Sequence, residues 1–182
     1  YVLEKGTEGI VSLTLSSPLL STPAWIEDAN YLRSLLPAEM QEAMTRHEAE
    51  GTTDSDEYQE ATNEFYRRHV RGTPVVRAEG CAGAGFNSVV YEYMWGPTEF
   101  RATGNLIDFD VTDRFNEISI PVLLLAGEND EARPERMEMF VPMFPDARFV
   151  MIEDAAHSAL SNNPEDYLRA LKEFLAASES SN

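Results

Sequence analysis

Three short apolar runs along the chain have the pattern of β-strands. The first, residues 10–15, is rich in β-branched side chains and lies between Gly9 and Pro18. The other two are residues 120–126 and 147–152, and the run 120–126 is apolar at nearly every position. A strand that is apolar on both faces is typical of a parallel sheet with helices on both sides. The pattern therefore predicts an α/β fold built on a buried parallel sheet.

Apolar residues recur at helical spacing around the last two of these strands. Residues 133–144 carry a proline in the first turn, and they predict a helix that joins the two strands as a right-handed βαβ unit. Asn163 can cap a further helix, which follows the third strand. Residues 178–182 carry no large apolar side chain, so we expect a disordered tail there.

The long stretch between the first and second strands is acidic, helical and repeatedly interrupted. Its predicted elements are helices that begin at Pro23, at Pro37 and after a cap at Asp54, a glycine-rich loop over residues 72–85 and a helix over residues 86–95. Ligands of open α/β sheets bind beyond the carboxyl ends of the strands, and a long helical excursion from those ends is typical of a cap over such a site.

These elements predict a sheet domain with a helical cap inserted into it. Residues 1–21 and 118–177 form the sheet domain, residues 22–117 form the cap, and residues 178–182 are the tail. Residues 1–6 have the composition of the end of a helix, so we expect the chain to open inside the sheet domain.

The balance of charges narrows the range of partners. Lys and Arg number 14 against 32 Asp and Glu, so the formal net charge is −18 at pH 7. Such a field repels nucleic-acid phosphates and anionic lipid, and we expect neither nucleic acid nor a membrane as a partner. The same field attracts cations, among them substrates with a free amino group.

Cysteine and histidine usage bears on the cellular compartment and on metals. Cys81 is the only cysteine, so the chain has no internal disulfide, and a reducing cytoplasm is the expected compartment. No apolar run approaches the ~20 residues that span a bilayer, and the first residues lack the order of a signal peptide. His47, His69 and His157 are scattered without ligand spacing, so we expect neither a metal site nor a cofactor.

A carboxylate and an imidazole follow the last two predicted strands. Asp130 lies in the loop after the second strand, and His157 lies in the loop after the third. Because the carboxyl ends of parallel strands meet at one edge of a sheet, the two side chains should approach each other, as in a pair that prepares a histidine for general-base catalysis. Two structural roles stay open: Asp130 could cap the helix near Pro134, and His157 could be an ordinary loop histidine.

Specific blocks of sequence accompany this pair. They are residues 95–100 with 103–105, residues 127–134, residues 16–18, residues 65–70 and His157 itself. In these blocks the chain resembles the proline iminopeptidases and the related tricorn-interacting aminopeptidase, which are serine peptidases of the α/β-hydrolase fold. The likeness runs over essentially the whole chain, and it implies the carboxyl-terminal part of that fold together with its helical cap.

The resemblance also implies roles for individual residues. Asp130 would be the acid and His157 the base of a Ser-His-Asp triad. Glu99 and Glu131 would hold the free α-amino group of a short peptide or an amino-acid amide through charge-assisted hydrogen bonds. The implied activity is that of a serine aminopeptidase, which releases N-terminal residues, often proline, from short peptides.

The walls of the substrate pocket follow from the same resemblance. Tyr91 and Trp95 would line the pocket, and Trp95 with Phe100 would offer an apolar surface to a proline-like ring. Trp95 and Phe100 could equally belong to the core of the cap, and that alternative stays open.

The nucleophile of an α/β-hydrolase lies on a G-x-S-x-G elbow, and the sequence contains no such motif. By resemblance the elbow would precede Tyr1, so we expect this chain alone to have no peptidase activity. The strand over residues 10–15 would then lack its inner neighbour. We expect an N-terminal fragment, a second copy of the chain or a swapped assembly to cover it.

Two other classes of function fit the same residues. One is another capped hydrolase, such as an esterase, an amidase or an epoxide hydrolase, which has no need of Glu99 and Glu131. The other is non-catalytic: a remnant domain that binds amines or peptides, or an interaction module. The absence of the elbow favours the non-catalytic class.

Overall fold

The computed structural model describes residues 1–72 and 86–180 of the chain. Most of the predicted loop over residues 72–85, including Cys81, lies outside the described residues. Within the two described ranges, no helix is both long enough and apolar enough to cross a membrane.

The described helices surround a small sheet and fill the stretch that the sequence predicts as a cap. The α-helices are α1 (Val2–Lys5), α2 (Thr22–Ser34), α3 (Ala38–Glu50), α4 (Asp56–Phe65), α5 (Ser88–Met94), α6 (Pro134–Phe140), α7 (Ala159–Asn162) and α8 (Pro164–Ser180). A π-helix over Tyr66–Arg71 follows α4 directly. Two 3₁₀ turns span Thr112–Glu117 and Val141–Met143.

The sheet has three parallel strands in the order β1, β2, β3. They are β1 (Leu13–Ser16), β2 (Val122–Gly127) and β3 (Ala147–Ile152). Every residue of β2 is buried, as expected for the central strand of a sheet with helices on both sides. The predicted α/β fold with a parallel sheet is therefore confirmed.

Strand β1 begins later than the sequence predicts. It starts at Leu13 rather than at residue 10, because Leu13 pairs with Val122, the first residue of β2. The N–H of Leu13 donates to the carbonyl of Pro121 at 2.9 Å, where this ladder begins. Residues 10–12 precede that point, so their β-branched side chains do not lead to pairing with β2.

Alternate residues of β2 point into two separate cores, Val122, Leu124 and Ala126 on one face and Leu123 and Leu125 on the other. Helix α6, which the sequence predicts between the two strands, packs with the first core through Met137 and Phe140. Helix α8 packs with the second core through Ala170 and Phe174. The sheet is thus covered on both faces.

Helix α8 runs further than the sequence predicts. We expected disorder from residue 178, but the helix continues to Ser180. Ser178 is buried, and its hydroxyl donates to the carbonyl of Phe174 at 2.9 Å. The last turn of the helix is therefore partly buried, although it carries no large apolar side chain. At the start of α8, Asn163 accepts from the N–H of Asp166 at 3.2 Å, which is the predicted cap.

Two helices of the cap, α2 and α4, begin where a serine side chain accepts a hydrogen bond from a free N–H group of the first turn. Ser21 does so at the start of α2, and Ser55 accepts from the N–H of Tyr58 at 3.3 Å at the start of α4. The sequence predicts Asp54 for this second cap, and that prediction is wrong by one residue. The capping side chain lies three residues before the N–H that it binds, which here is residue 55.

A buried ion pair joins α2 to the sheet domain. Asp28 is 4% exposed, and its two carboxylate oxygens accept from Arg133 Nη1 at 3.1 Å and from Arg136 Nε at 2.8 Å. Arg133 lies just before α6 and Arg136 lies within it. The contact therefore fixes a cap helix beside the loop that follows β2.

Three aromatic rings pack beneath this junction. The ring of Phe115 stacks on Phe144 with centroids 4.2 Å apart, and it meets Phe140 edge-on at 5.6 Å. Phe115 is 1% exposed, and all three side chains belong to the larger core. The cluster anchors α6 on the sheet.

Replacing Phe140 by alanine should lower the free energy of unfolding by about 3 kcal/mol, because a buried ring is removed and a cavity remains next to Phe115. The matched control is Met139→Ala on the same helix, whose side chain is exposed and which should change stability by less than about 0.5 kcal/mol. Urea unfolding followed by circular dichroism measures both. Equal losses in the two variants would contradict the assignment of Phe140 to the core.

Candidate active site

The loops after β2 and β3 bring the predicted carboxylate and imidazole together. His157 Nδ1 lies 2.9 Å from Asp130 Oδ1, and because a carboxylate cannot donate, the imidazole N–H does so. The edge of Trp25 from the cap packs on the His157 ring, with centroids 6.0 Å apart. The pair therefore lies at the carboxyl edge of the sheet, against the cap.

Each oxygen of the Asp130 carboxylate accepts hydrogen bonds from two donors. Oδ1 accepts from His157 and from the N–H of Ala132 at 2.8 Å. Oδ2 accepts from the N–H of Gly127 at 3.1 Å and from the hydroxyl of Ser17 at 2.6 Å. The residue is 1% exposed, so these four donors replace water and hold the carboxylate in one orientation.

The alternative role left open for Asp130, a helix cap, does not agree with this geometry. The residue that precedes the first turn of α6 is Arg133, and it makes no capping hydrogen bond through its side chain. Asp130 bonds instead to the backbone of its own loop, to Ser17 and to His157. Its side chain orients an imidazole.

The environment of His157 favours the protonated ring. Burial lowers the pKa of the imidazole, but the hydrogen bond to Asp130, the charge of Asp130 and the charge of Glu99 outweigh it, so the pKa stands above its ordinary value. The side chain is one-third exposed. An imidazole that is held by a carboxylate and still reaches the surface of a cavity can take up and release a proton.

Glu131, the residue after Asp130, carries a buried carboxylate without a donor. It is 1% exposed, and neither of its side-chain oxygens has a hydrogen-bond partner among residues 1–72 and 86–180. His157 Nδ1 lies 3.8 Å from Oε1, beyond hydrogen-bond distance. Burial, then the charges of Glu99 and Asp130, raise the pKa of Glu131 well above its ordinary value.

Glu99 approaches the same place from the cap. Its backbone is held by aromatic side chains: the N–H of Glu99 donates to the Tyr66 hydroxyl at 3.1 Å, and its carbonyl accepts from Trp25 Nε1 at 3.0 Å. Burial and the neighbouring charge of Glu99 raise the pKa of the Tyr91 hydroxyl. Two carboxylates, Glu99 and Glu131, thus influence one region beside His157.

A cavity of about 420 Å³ opens at this site. Its lining includes Ser17, Trp25, Tyr91, Trp95, Glu99 and His157. Trp95 meets Trp25 edge-on at 6.0 Å and is 7% exposed, so it belongs both to the wall and to the core of the cap. Phe100 is not among these lining residues. It packs against Phe65 at 4.9 Å in the cap core, which is the alternative left open for it.

No family model matches the chain, but individual proteins do. It is 37% identical over 178 residues to the proline iminopeptidase of Heyndrickxia coagulans, covering 96% of this chain and 61% of that protein. The crystal structure of the proline iminopeptidase of Mycobacterium smegmatis matches with a TM-score of 0.86 at 37% identity, covering 99% of this chain and 61% of that one. By sequence and by structure, the chain is similar to the carboxyl-terminal part of the proline iminopeptidases.

A second solved structure supports the same fold. The protein VinJ matches with a TM-score of 0.85 at 31% identity, covering 97% of this chain and 60% of that one. The predicted α/β-hydrolase fold is therefore confirmed, and the chain corresponds to the carboxyl-terminal part of these proteins. It spans about 61% of the length of the proline iminopeptidases that it matches.

The contacts of the π-helix with the site could not be predicted from the sequence. The π-helix turns its last carbonyls toward both loops of the site: His69 O accepts from the N–H groups of Glu131 at 3.3 Å and His157 at 3.1 Å, and Val70 O accepts from Ser158 at 3.0 Å. The imidazole Nδ1 of His69 lies 3.0 Å from the carbonyl of Asn129. Wide π turns often occur at functional sites, but their sequences carry no simple signal.

The hydrogen bond from Ser17 to Asp130 is another contact that could not be predicted from the sequence. Ser17 belongs to a block that resembles the proline iminopeptidases, yet no role follows from the residue type alone. A polar residue that follows a strand at the same edge as Asp130 is the signal that could have found it.

A metal site has no support in the part of the chain that the structure describes. Across residues 1–72 and 86–180, no group of three or more His, Cys, Asp or Glu side chains is arranged to hold a metal ion. His47 lies in α3 and His69 lies in the π-helix, two different elements of the cap.

Glu131→Gln should raise the free energy of unfolding at pH 7 by about 1–2 kcal/mol, because it removes a buried carboxylate that has no donor. The pKa of Glu131 is raised in the folded state, so ionisation destabilises the fold as the pH rises above the ordinary value near 4.5. Below that value the carboxyl is neutral in both states, and the difference between variant and parent should shrink.

Urea unfolding across this pH range measures the difference. Glu138→Gln, an exposed position on α6, is the matched control and should follow the parent chain at every pH. If Glu131→Gln is less stable than the parent at pH 7, the interpretation that the Glu131 carboxylate lacks a hydrogen-bond donor is wrong.

Proposed function

We propose that the complete polypeptide to which this chain corresponds is a serine aminopeptidase of the proline iminopeptidase type. It would release N-terminal residues, often proline, from short peptides or amino-acid amides. The observation that carries the proposal is the buried carboxylate of Glu131, which lacks a donor and lies directly beside the Asp130–His157 pair. The names of the relatives support the same activity.

The first step is recognition of the substrate's ammonium group. A free α-amino group carries three N–H donors and a positive charge. Glu131 offers a buried carboxylate, and Glu99 offers a second one that lines the cavity. Binding would remove the cost of burying the carboxylate of Glu131. The net charge of −18 favours the approach of such a cation. Selectivity for a chain terminus would follow, because an internal peptide nitrogen carries no charge.

The second step is acyl transfer with His157 as the base. Its Nδ1 is bonded to Asp130, so the ring presents Nε2 to accept the proton of a serine hydroxyl. The serine oxygen bonds to the substrate carbonyl carbon, and the imidazolium then gives its proton to the leaving amine nitrogen as the C–N bond breaks. Water hydrolyses the ester by the same proton transfers. Asp130 fixes the tautomer and stabilises the imidazolium.

The serine itself would come from a G-x-S-x-G segment that this sequence does not contain. Ser17 is no substitute, because its hydroxyl donates to Asp130 rather than facing the imidazole. The apolar walls of the cavity, Trp95 and Tyr91, would receive the ring or side chain of the N-terminal residue.

The free edge of β1 suggests a partner. Among the described residues, β1 pairs only with β2, so its other edge offers unpaired backbone groups. We propose that an N-terminal fragment or a second copy of the chain covers this edge, as the greater length of the relatives suggests. The cytoplasmic location stays a prediction from the sequence.

The 182-residue chain should not be labelled by a fluorophosphonate probe, because neither Ser17 nor another serine is activated by His157 in the arrangement described. Intact mass measurement after incubation detects the adduct, and an active serine peptidase serves as the positive control. Stoichiometric labelling would overturn the expectation that the chain alone is inactive.

Prolinamide should bind the chain, with an affinity at least about tenfold lower in Glu131→Gln, since a charge-assisted hydrogen bond is lost. Isothermal titration calorimetry measures this, with Glu138→Gln as the control and N-acetylprolinamide as the ligand that should not bind. Equal binding of the acetylated ligand would favour another capped hydrolase. Absence of heat with either ligand would favour a non-catalytic remnant.

Purified alone, the 20.4 kDa chain should form a dimer or a larger assembly if the edge of β1 needs a cover. Native mass spectrometry measures its oligomeric state. A monomer with a single cooperative thermal transition would contradict this part of the proposal.

A further inference from the structure

Ser17 has an unusual backbone for its residue type. It follows the last residue of β1 with φ of 46°, in the left-handed region that residues other than glycine rarely adopt. Its N–H donates to the carbonyl of Leu125 at 2.7 Å, which extends the β1–β2 ladder by one bond. The residue is buried at 9% exposure. Such strain persists only where surrounding contacts enforce it, and it is concentrated at functional sites.

The hydroxyl of Ser17 has a single proton to give, and its position decides where that proton goes. Oγ lies 2.6 Å from Asp130 Oδ2 and 3.5 Å from the carbonyl oxygen of His157. Both of these atoms can only accept. The shorter contact has a charged acceptor, so the hydroxyl donates to the carboxylate.

The hydrogen bond from Ser17 leaves the two oxygens of the Asp130 carboxylate with different partners. Ser17 and the N–H of Gly127 occupy Oδ2, while Oδ1 accepts from Ala132 and remains available to His157 Nδ1. Gly127 ends β2 and Ala132 lies in the loop of Asp130, so both belong to the same stretch of chain as the carboxylate, whereas Ser17 follows β1. The Ser17 hydroxyl is therefore the donor that ties the carboxylate to the neighbouring strand β1.

We propose that Ser17 is a positioning residue, which holds the Asp130 carboxylate and restrains its negative charge, and thereby sets how strongly His157 binds a proton. The proposal rests on the proposed function only in treating His157 as the catalytic base. Ser17 follows β1, so a residue after the remaining strand of the sheet joins Asp130 and His157 at the site.

The surroundings of His157 explain why such a restraint is needed. Two carboxylates act on the imidazole: Asp130, with Oδ1 2.9 Å from Nδ1, and Glu99 from the cap. Both favour the imidazolium, and a base that stays protonated at neutral pH cannot accept a proton. A hydroxyl that donates to Asp130 places the positive end of its dipole toward the pair, which opposes further protonation.

The test is a titration of His157 by NMR in the 182-residue chain, which has three histidines. Ser17→Ala should raise the pKa of His157 by roughly half a unit, since the carboxylate loses one donor. Ser17→Gly should produce the same rise, although glycine relieves the backbone strain at this φ. The matched control is Ser16→Ala, because the neighbouring serine is exposed and should leave the pKa unchanged.

A double-mutant cycle identifies the route of the effect. In the Asp130→Asn background, Ser17→Ala should no longer change the pKa of His157, because Ser17 acts through the carboxylate. An unchanged or lowered pKa in both Ser17 variants, an equal rise in Ser16→Ala, or a rise that persists in the Asp130→Asn background would each overturn the proposal. Failure of prolinamide binding would count against the aminopeptidase and leave this coupling intact.

Discussion

The site depends on one buried carboxylate and the four donors that hold it. Asp130 receives hydrogen bonds from its own loop, from His157 after β3 and from Ser17 after β1. A carboxylate at this depth would be costly without them. The donors lie at the end of β2 or in the segments that follow β1, β2 and β3. The strand order β1, β2, β3 is therefore what brings them to a single carboxylate. The α/β fold brings the three loops together at one edge.

Glu131 is the opposite case, because its buried carboxylate has no hydrogen-bond donor among the described residues. Its neighbour Asp130 has every acceptor filled, whereas Glu131 is equally buried and has no donor. A fold ordinarily avoids such a group, because it reduces stability. In the proposed function this carboxylate is reserved for the ammonium group of the substrate. The two adjacent carboxylates then have different tasks: Asp130 orients His157, and Glu131 recognises the substrate.

Much of this could be predicted from the sequence, and the limits have physical causes. The apolar run of β2 and the loop residues Asp130 and His157 indicated a sheet edge, since strand ends are marked by local pattern. The start of β1 could not be found, because it is set by where β2 begins. The partners of Ser17 and His69 lie more than 50 residues away along the chain, so local patterns carry no trace of them. The extension of helix α8 beyond residue 177 could not be predicted either, because the burial of Ser178 depends on the surface against which the helix packs.

The π-helix ties the cap to the two loops that carry Asp130 and His157. Its carbonyls bind the backbone on both sides of the site, and the pair of arginines on Asp28 ties α2 to the sheet domain as well. Moving the cap helices away as one flap would break these bonds and displace the two loops. The same hydrogen bonds therefore make the position of the cap and the alignment of the Asp130–His157 pair depend on each other.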